Sequence, residues 1–249
     1  MFSLQYHYDR LTIEQFYTSS LICNFFYGGF LMALALFDLD NTLLAGDSDY
    51  LWGEFLAEQG IVDAELFARE NQRFYDEYKK GTLDIHEFQA FSQQPLVHNA
   101  PDKMLALREQ FLSDKIKPIM SPASFELIDK HRQAGDTLVV ITATNSFITR
   151  PISSAFGIEH LLATEPEIVD GQYTGKIAGT PCFQGGKVTR LNEWMKAQNQ
   201  TLKGSWFYSD SHNDLPLLLE AENPVAVDAD ETLLDYARQH HWQIISLRD

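Results

Sequence analysis

Cysteine is scarce in this 249-residue chain: Cys23 and Cys182 are the only two. Two thiols make no disulfide framework, and no C-x-x-C pair supplies zinc-ligand spacing. Such usage suits a reducing, cytoplasmic compartment. Cations are scarce as well. Lys and Arg total 19 against 35 Asp and Glu, a net charge of −16. That surface offers a polyanion no electrostatic footprint, so no nucleic-acid partner is expected. A small phosphorylated metabolite remains open, because one bound metal ion inverts the sign locally. Internal repeats and low-complexity tracts are missing too. What is present is a core: 45% of residues are hydrophobic, with 17 Phe, 10 Tyr and 4 Trp. Disorder is thereby excluded. The length suits one α/β domain, or a core domain carrying a smaller insertion.

One run from Leu21 to Phe37 is nearly free of charge and almost long enough to span a bilayer. The residues before it carry Arg10 against Asp9 and Glu14, not the basic flank of a secretory signal. Asn24, Gly28 and Gly29 interrupt it, and its end leads straight into Asp38-Leu39-Asp40. A segment cannot both anchor in lipid and place those carboxylates in an aqueous site, unless the anchor stops before Met32. No membrane partner is therefore expected. Residues 1–31 read as a weakly structured extension, with the compact region starting at Met32.

Ala33 to Phe37 and Thr137 to Ile141 are short apolar runs that predict buried strands, as do Ser205 to Tyr208, Pro224 to Val227 and Trp242 to Ser246. Helical patterns separate them: Ser124 to Gln133, Lys187 to Ala197, Leu215 to Ala221 and Glu231 to His240. Asp170-Gly171, between short alternating runs, marks a β-hairpin. Strands alternating with helices predict an α/β fold, a Rossmann-like parallel sheet with helices on both faces. Between Asp47 and about Pro118 apolar residues recur at helical spacing without a convincing strand. This predicts a helical cap over 47–117, inserted into a core formed by 32–46 and 118–249.

Open parallel sheets bind ligands beyond the carboxyl ends of their strands. Asp38 and Asp40 follow the first strand, Thr142 ends the second, Lys187 opens a helix after Gly185-Gly186, and Asp210 and Asp214 follow Trp206-Phe207-Tyr208. Four carboxylates at one sheet edge repel unless a cation holds them, and hard oxygen donors suit Mg²⁺. Thr142 supplies a hydroxyl and Ala143 a backbone N–H for phosphate oxygens, while Lys187 supplies a point charge. One carboxylate can serve as nucleophile, and a second, two residues on, as general acid and base. A calcium-loop reading of Asp38, Asp40, Thr42 and Asp49 fails because Leu43 stands where the turn needs Gly. Gly185-Gly186-Lys187 lacks the remainder of a P-loop.

Phe37-Asp38-Leu39-Asp40-Asn41-Thr42-Leu43, Thr142, Lys187 and Asp210-Ser211-His212-Asn213-Asp214 resemble, in order and spacing, the four motifs of the haloacid dehalogenase-like hydrolases. The helical insertion is similar to the cap of subfamily IB, which includes phosphoserine phosphatases and bacterial histidinol-phosphatases. The resemblance implies Asp38 as nucleophile and Asp40 as general acid/base. It implies Mg²⁺ on Asp38, the Asp40 backbone carbonyl, Asp210 and Asp214, with Asn213 near the phosphate. Ser209 and Ala143 stand where relatives often carry Gly. Asp47 matches the acidic residue that binds the substrate ammonium in phosphoserine phosphatases, with Asp49 close by. The segment Phe88 to Pro95, which resembles their arginine-bearing stretch, has no arginine for a substrate carboxylate. An amine without a carboxylate fits better, and L-histidinol phosphate is such a compound, its imidazole set against Tyr50 and Trp52. Phosphoserine, and transfer to a second hydroxyl by a phosphotransferase or mutase, remain the alternatives. Oligomeric state is not legible.

Overall fold

The computed structural model describes residues 33–248. The expected extension over 1–31, the start at Met32 and Cys23 lie outside the described residues. Seven strands, β1 (Leu34–Phe37), β2 (Thr137–Asn145), β3 (His160–Val169), β4 (Gln172–Ala178), β5 (Trp206–Ser209), β6 (Asn223–Val227) and β7 (Gln243–Ile245), form one sheet. Its order is β4-β3-β2-β1-β5-β6-β7, parallel except for the β3–β4 pair. All four residues of β1 are buried, as a central strand covered on both faces requires. The chain travels outward from β1 through β2 and β3, then returns to β1's other side for β5. That reversal opens a crevice at the carboxyl end of β1.

Between β1 and β2 the chain is helical: α1 (Ser48–Glu58), α2 (Ala64–Lys79), α3 (Ile85–Ser92), α4 (Gln94–His98) and α5 (Pro101–Phe111), then tight turns to Ile119. Aspartates start three of them. Asp47 accepts from the N–H groups of Asp49 and Tyr50, Asp63 from Leu66, and Asp84 from His86 and Glu87. Each satisfies donors that a helix start leaves unpaired. The remaining helices are α6 (Pro122–Ala134), α7 (Ser146–Ala155), α8 (Gly185–Gln198), α9 (Leu215–Leu218) and α10 (Glu231–Gln239). Ser121 caps α6, and Gly135 ends it at φ 82°, where a side chain would be strained. No helix among the described residues is long and apolar enough to cross a membrane.

Alternation along β1 divides the core. Ala35 and Phe37 face a cluster with Val140, Ile128 and Tyr208, joined by Trp52 and Phe55 of α1 and Phe111 of α5. Leu34 and Leu36 face the other, with Val139, Ile141, Phe207, Leu191 of α8 and Leu233 of α10. Helices α1 and α5 therefore share a core with the sheet.

Two elements differ from the sequence reading. The hairpin is there, turning on Asp170 (φ 51°) and Gly171 (φ 78°), but its first strand starts back at His160. Residues His160 to Leu162 pair in parallel with β2, and only the distal half pairs with β4. That half-and-half pairing blurred the pattern of either strand type. Helix α7 was not predicted, because Pro151 sits inside it and normally argues against a helix interior.

Gly186 lies where α8 begins, and a Cβ there falls 2.0 Å from the Pro181 carbonyl oxygen. The Gly186→Ala variant is expected to lose about 1–3 kcal/mol through overpacking. Urea denaturation checks this; an unchanged midpoint would mean that the turn yields freely.

Candidate active site

Asp38 leaves β1 with its N–H bonded to the Tyr208 carbonyl at 2.9 Å, which fixes it beside the end of β5. The next five residues coil back on themselves, with Asn41 at φ 55° and Leu44 N–H reaching the Leu39 carbonyl at 3.0 Å. Thr42, fully buried, closes this loop onto β5. Its hydroxyl donates to Asp210 Oδ1 at 3.0 Å and accepts the Asp210 N–H at 3.0 Å. Three carboxylates thus gather around Lys187. Its Nζ donates to Asp38 Oδ1 at 2.8 Å and to Asp214 Oδ2 at 2.7 Å, with all three residues at most 5% exposed.

Burial pushes the Asp38 carboxyl up to about 7, against the lowering pull of Lys187 and with added repulsion from Asp214. Burial also raises Asp210 well above the usual range, helped by Asp38 and Asp214. Burial by itself would lower Lys187, but Asp214 and Asp38 outweigh it and hold the ammonium above its ordinary range. Three acids with one base leave excess negative charge. Among the described residues no three His, Cys, Asp or Glu side chains form a ready metal cage. This donor set still fits Mg²⁺, which takes one or two carboxylates and keeps several waters.

Asp40 points the other way. Its Oδ1 accepts the Ser48 N–H at 2.7 Å, and its Oδ2 accepts the Thr144 hydroxyl at 2.8 Å, with the Thr142 hydroxyl at 3.4 Å. Burial, with the charge of Asp47 adding to it, pushes Asp40 up to about 6. A carboxyl held there is well placed to hand over and retrieve a proton near neutrality.

Above these groups lies a cavity under α1, α2 and α3. Asp38, Asp40, Asp47, Asp49 and Asp214 line it against one cation among the described residues, Lys187. Tyr50, Phe74, Tyr75, Tyr78, Phe88 and Phe183 supply aromatic walls, and Thr142 and Ala143 sit at the floor. No arginine among the described residues reaches it. Arg73 is held by Glu70 at 3.0 Å, Glu77 at 3.0 Å and Glu87 at 2.7 Å, and the Arg69 side chain is 69% exposed. Between Phe88 and Pro95, Gln89 lies fully buried, its amide 3.5 Å from the Ala143 carbonyl.

The sequence-predicted residues Asp38, Asp40, Asp47, Asp49, Tyr50, Thr142, Ala143, Lys187 and Asp214 meet at this cavity, with Asp210 joined through Thr42. Two do not meet there. Trp52 is 2% exposed and packs among Phe55, Phe111 and Phe147, because it lies on the core side of α1, away from Tyr50. Asn213 was expected near the phosphate. Instead its amide donates to the Tyr78 carbonyl at 2.9 Å and accepts from Gln184 at 3.0 Å, which ties the end of α2 to the sheet.

Other contributors were missed. Thr144 gave no signal beyond lying two residues after Thr142. Ser209 is more than a small residue, since its hydroxyl donates to Asp214 Oδ2 at 2.7 Å. Arg248 donates to the carbonyls of Thr42 (3.2 Å), Leu44 (2.9 Å) and Asn41, bracing the Asp38–Leu44 loop from the far end of the chain. Nothing local in the sequence marks it.

A parallel sheet with paired acids at the end of its central strand, and a buried lysine between that strand and the next motif, defines a hydrolase class. Residues 35–219 match the haloacid dehalogenase-like hydrolase family, and the chain belongs to it. It is a phosphatase of that family. A histidinol-phosphatase of Neisseria meningitidis serogroup C (strain 8013) is 40% identical over 219 residues, covering 86% of this chain and 99% of that protein. A crystal structure of a protein with unknown function from Bordetella pertussis Tohama I is 42% identical with a TM-score of 0.82, over 86% of this chain and 98% of that one. A phosphoserine phosphatase solved as a phospho-aspartyl intermediate analogue has a TM-score of 0.62 at 18% identity, over 87% and 93%. The last likeness is one of fold.

Removing Lys187 leaves two buried carboxylates without their partner. Lys187→Met is expected to lose about 3–5 kcal/mol of stability. Denaturant titration at neutral pH checks it; a loss under 1 kcal/mol would mean that water reaches the cluster.

Proposed function

We propose that this phosphatase is a Mg²⁺-dependent phosphomonoesterase that hydrolyses a small amine-bearing phosphate ester. L-histidinol phosphate, giving L-histidinol and phosphate, is the substrate that fits best. One observation carries the reading: a cavity of five carboxylates and six aromatic rings that no arginine among the described residues enters. Such a wall welcomes a cation on a flat or apolar body, whereas a substrate carboxylate would meet like charge without a bidentate partner. Phosphoserine is disfavoured on that ground. The 40% identity to a histidinol-phosphatase supports the same choice.

In this reading the helices over 47–117 act as a cap on a core made of 32–46 and 118–249. Asp38 and Asp210, with the Asp40 backbone carbonyl and Asp214, hold Mg²⁺. The ion when bound supplies charge neutralisation at the phosphoryl oxygens. An Asp38 carboxylate oxygen attacks phosphorus, and the bond to the ester oxygen breaks as Asp40 gives that oxygen its proton. An aspartyl-phosphate and the free alcohol result. Asp40, now a carboxylate, takes a proton from water as the water oxygen attacks phosphorus, which releases phosphate and restores Asp38. Lys187 balances the charge passing through Asp38, and Thr142 with the Ala143 N–H contacts the phosphoryl oxygens. A mutase would need a second hydroxyl in the same cavity, which this wall does not favour. Cysteine usage supports a cytoplasmic setting.

Purified protein is expected to turn over L-histidinol phosphate with a higher kcat/KM than phosphoserine. A clear preference for phosphoserine would overturn the substrate assignment. EDTA is expected to stop phosphate release and Mg²⁺ to restore it. The Asp38→Asn variant should keep its fold by circular dichroism while kcat drops by about ten-thousandfold or more; retained turnover would move the nucleophile elsewhere.

A further inference from the structure

The first turn of α1 carries two acidic side chains in opposite circumstances. Asp47 is partly buried, and its Oδ1 accepts the N–H groups of Asp49 and Tyr50, each at 3.0 Å. The Ser48 N–H goes to Asp40. All three donors at this helix start are thereby taken by Asp47 and Asp40, and none is left for Asp49. Asp49 is 8% exposed, and its Oδ2 is buried without any hydrogen-bond partner. It lines the cavity beside Tyr50, Asn71 and Tyr75.

A buried carboxylate in that position is strongly unfavourable unless a cation or donor meets it. Among the described residues none does. Its nearest charges, Asp47 and Asp40, are of the same sign. Lys187 is held by Asp38 and Asp214, and Arg73 by three glutamates. Lys79 lies over the Tyr75 ring at 4.4 Å. Gly53, one turn after Asp49 on α1, brings α2 close: a Cβ there would stand 2.4 Å from Asn71 Nδ2. The two helices thus wall in the orphan oxygen of a residue that lines the cavity.

We propose that Asp49, rather than Asp47, receives the protonated nitrogen of the substrate, and that Asp47 acts as the helix cap that positions it. The inference rests on the amine reading above and adds which carboxylate determines specificity. It also departs from what motif position suggests, since Asp47 is the residue aligned with an ammonium-binding acid.

Isosteric variants separate the two roles. In Asp49→Asn, KM for L-histidinol phosphate is expected to rise about tenfold or more with kcat changed far less, and calorimetric affinity for L-histidinol to fall in parallel. The ligand-free Asp49→Asn protein should melt higher than wild type, because a buried carboxyl set against the like charges of Asp47 and Asp40 is gone; a merely structural residue would lower the melting temperature. Asp47→Asn keeps a good N-cap, so its KM shift should be clearly the smaller. A larger KM shift in Asp47→Asn, or KM and histidinol affinity within twofold of wild type in Asp49→Asn, overturns the proposal. Glycerol 3-phosphate turnover by wild type distinguishes the two levels. If it matches L-histidinol phosphate, the amine reading falls and this inference with it; if the amine is preferred but Asp49→Asn is indifferent, only the inference falls.

Discussion

The buried contact of Lys187 with Asp38 and Asp214 is the constraint around which the site is built. It joins three elements that are remote in sequence: the end of β1, the start of α8 and the turn after β5. Burying one ammonium with two carboxylates is tolerable because both carboxylates find further donors, Asp38 from Thr42 and Asp214 from Ser209. Such a cluster is not a source of net stability so much as a device that fixes geometry. Its residual negative charge is of the kind that a divalent cation offsets.

The helix start at α1 plays a matching part from the other side. A helix N-terminus offers donors and partial positive charge. Here they are given to Asp40 and Asp47, so that Ser48, Thr144 and Thr142 fix the Asp40 carboxyl in place while burial raises its proton affinity. The inserted helices therefore do more than cover the cavity. By sharing a hydrophobic cluster with the sheet through Trp52, Phe55 and Phe111, they set the α1 N-terminus at a fixed distance from β1 and β2. Trp52 contributes to the site through that packing, not by contact with ligand.

The parallel sheet, the helical insertion and the acid-rich strand ends were legible in the sequence. Short apolar runs, helical spacing and carboxylates in D-x-D and D-x-x-x-D patterns are local features that survive any rearrangement of their surroundings. Strand β3 and helix α7 were less so. Half of β3 pairs in parallel and half antiparallel, and α7 tolerates Pro151 against its propensity. Both are cases where neighbours override local preference.

Which chemistry the chain carries was thus set by residue types and their order, because strand-end carboxylates, a hydroxyl and a lysine can do little else together. Which side chains face the ligand was decided only in three dimensions. Asp47 and Asp49 look equivalent as letters, yet one has two N–H partners and the other has an oxygen with none. Asn213 turns to bind α2, Trp52 turns to the core, and Arg248 reaches the Asp38–Leu44 loop across the whole chain. Side-chain direction and long-range hydrogen bonding depend on packing partners far off in sequence, and no local pattern encodes them.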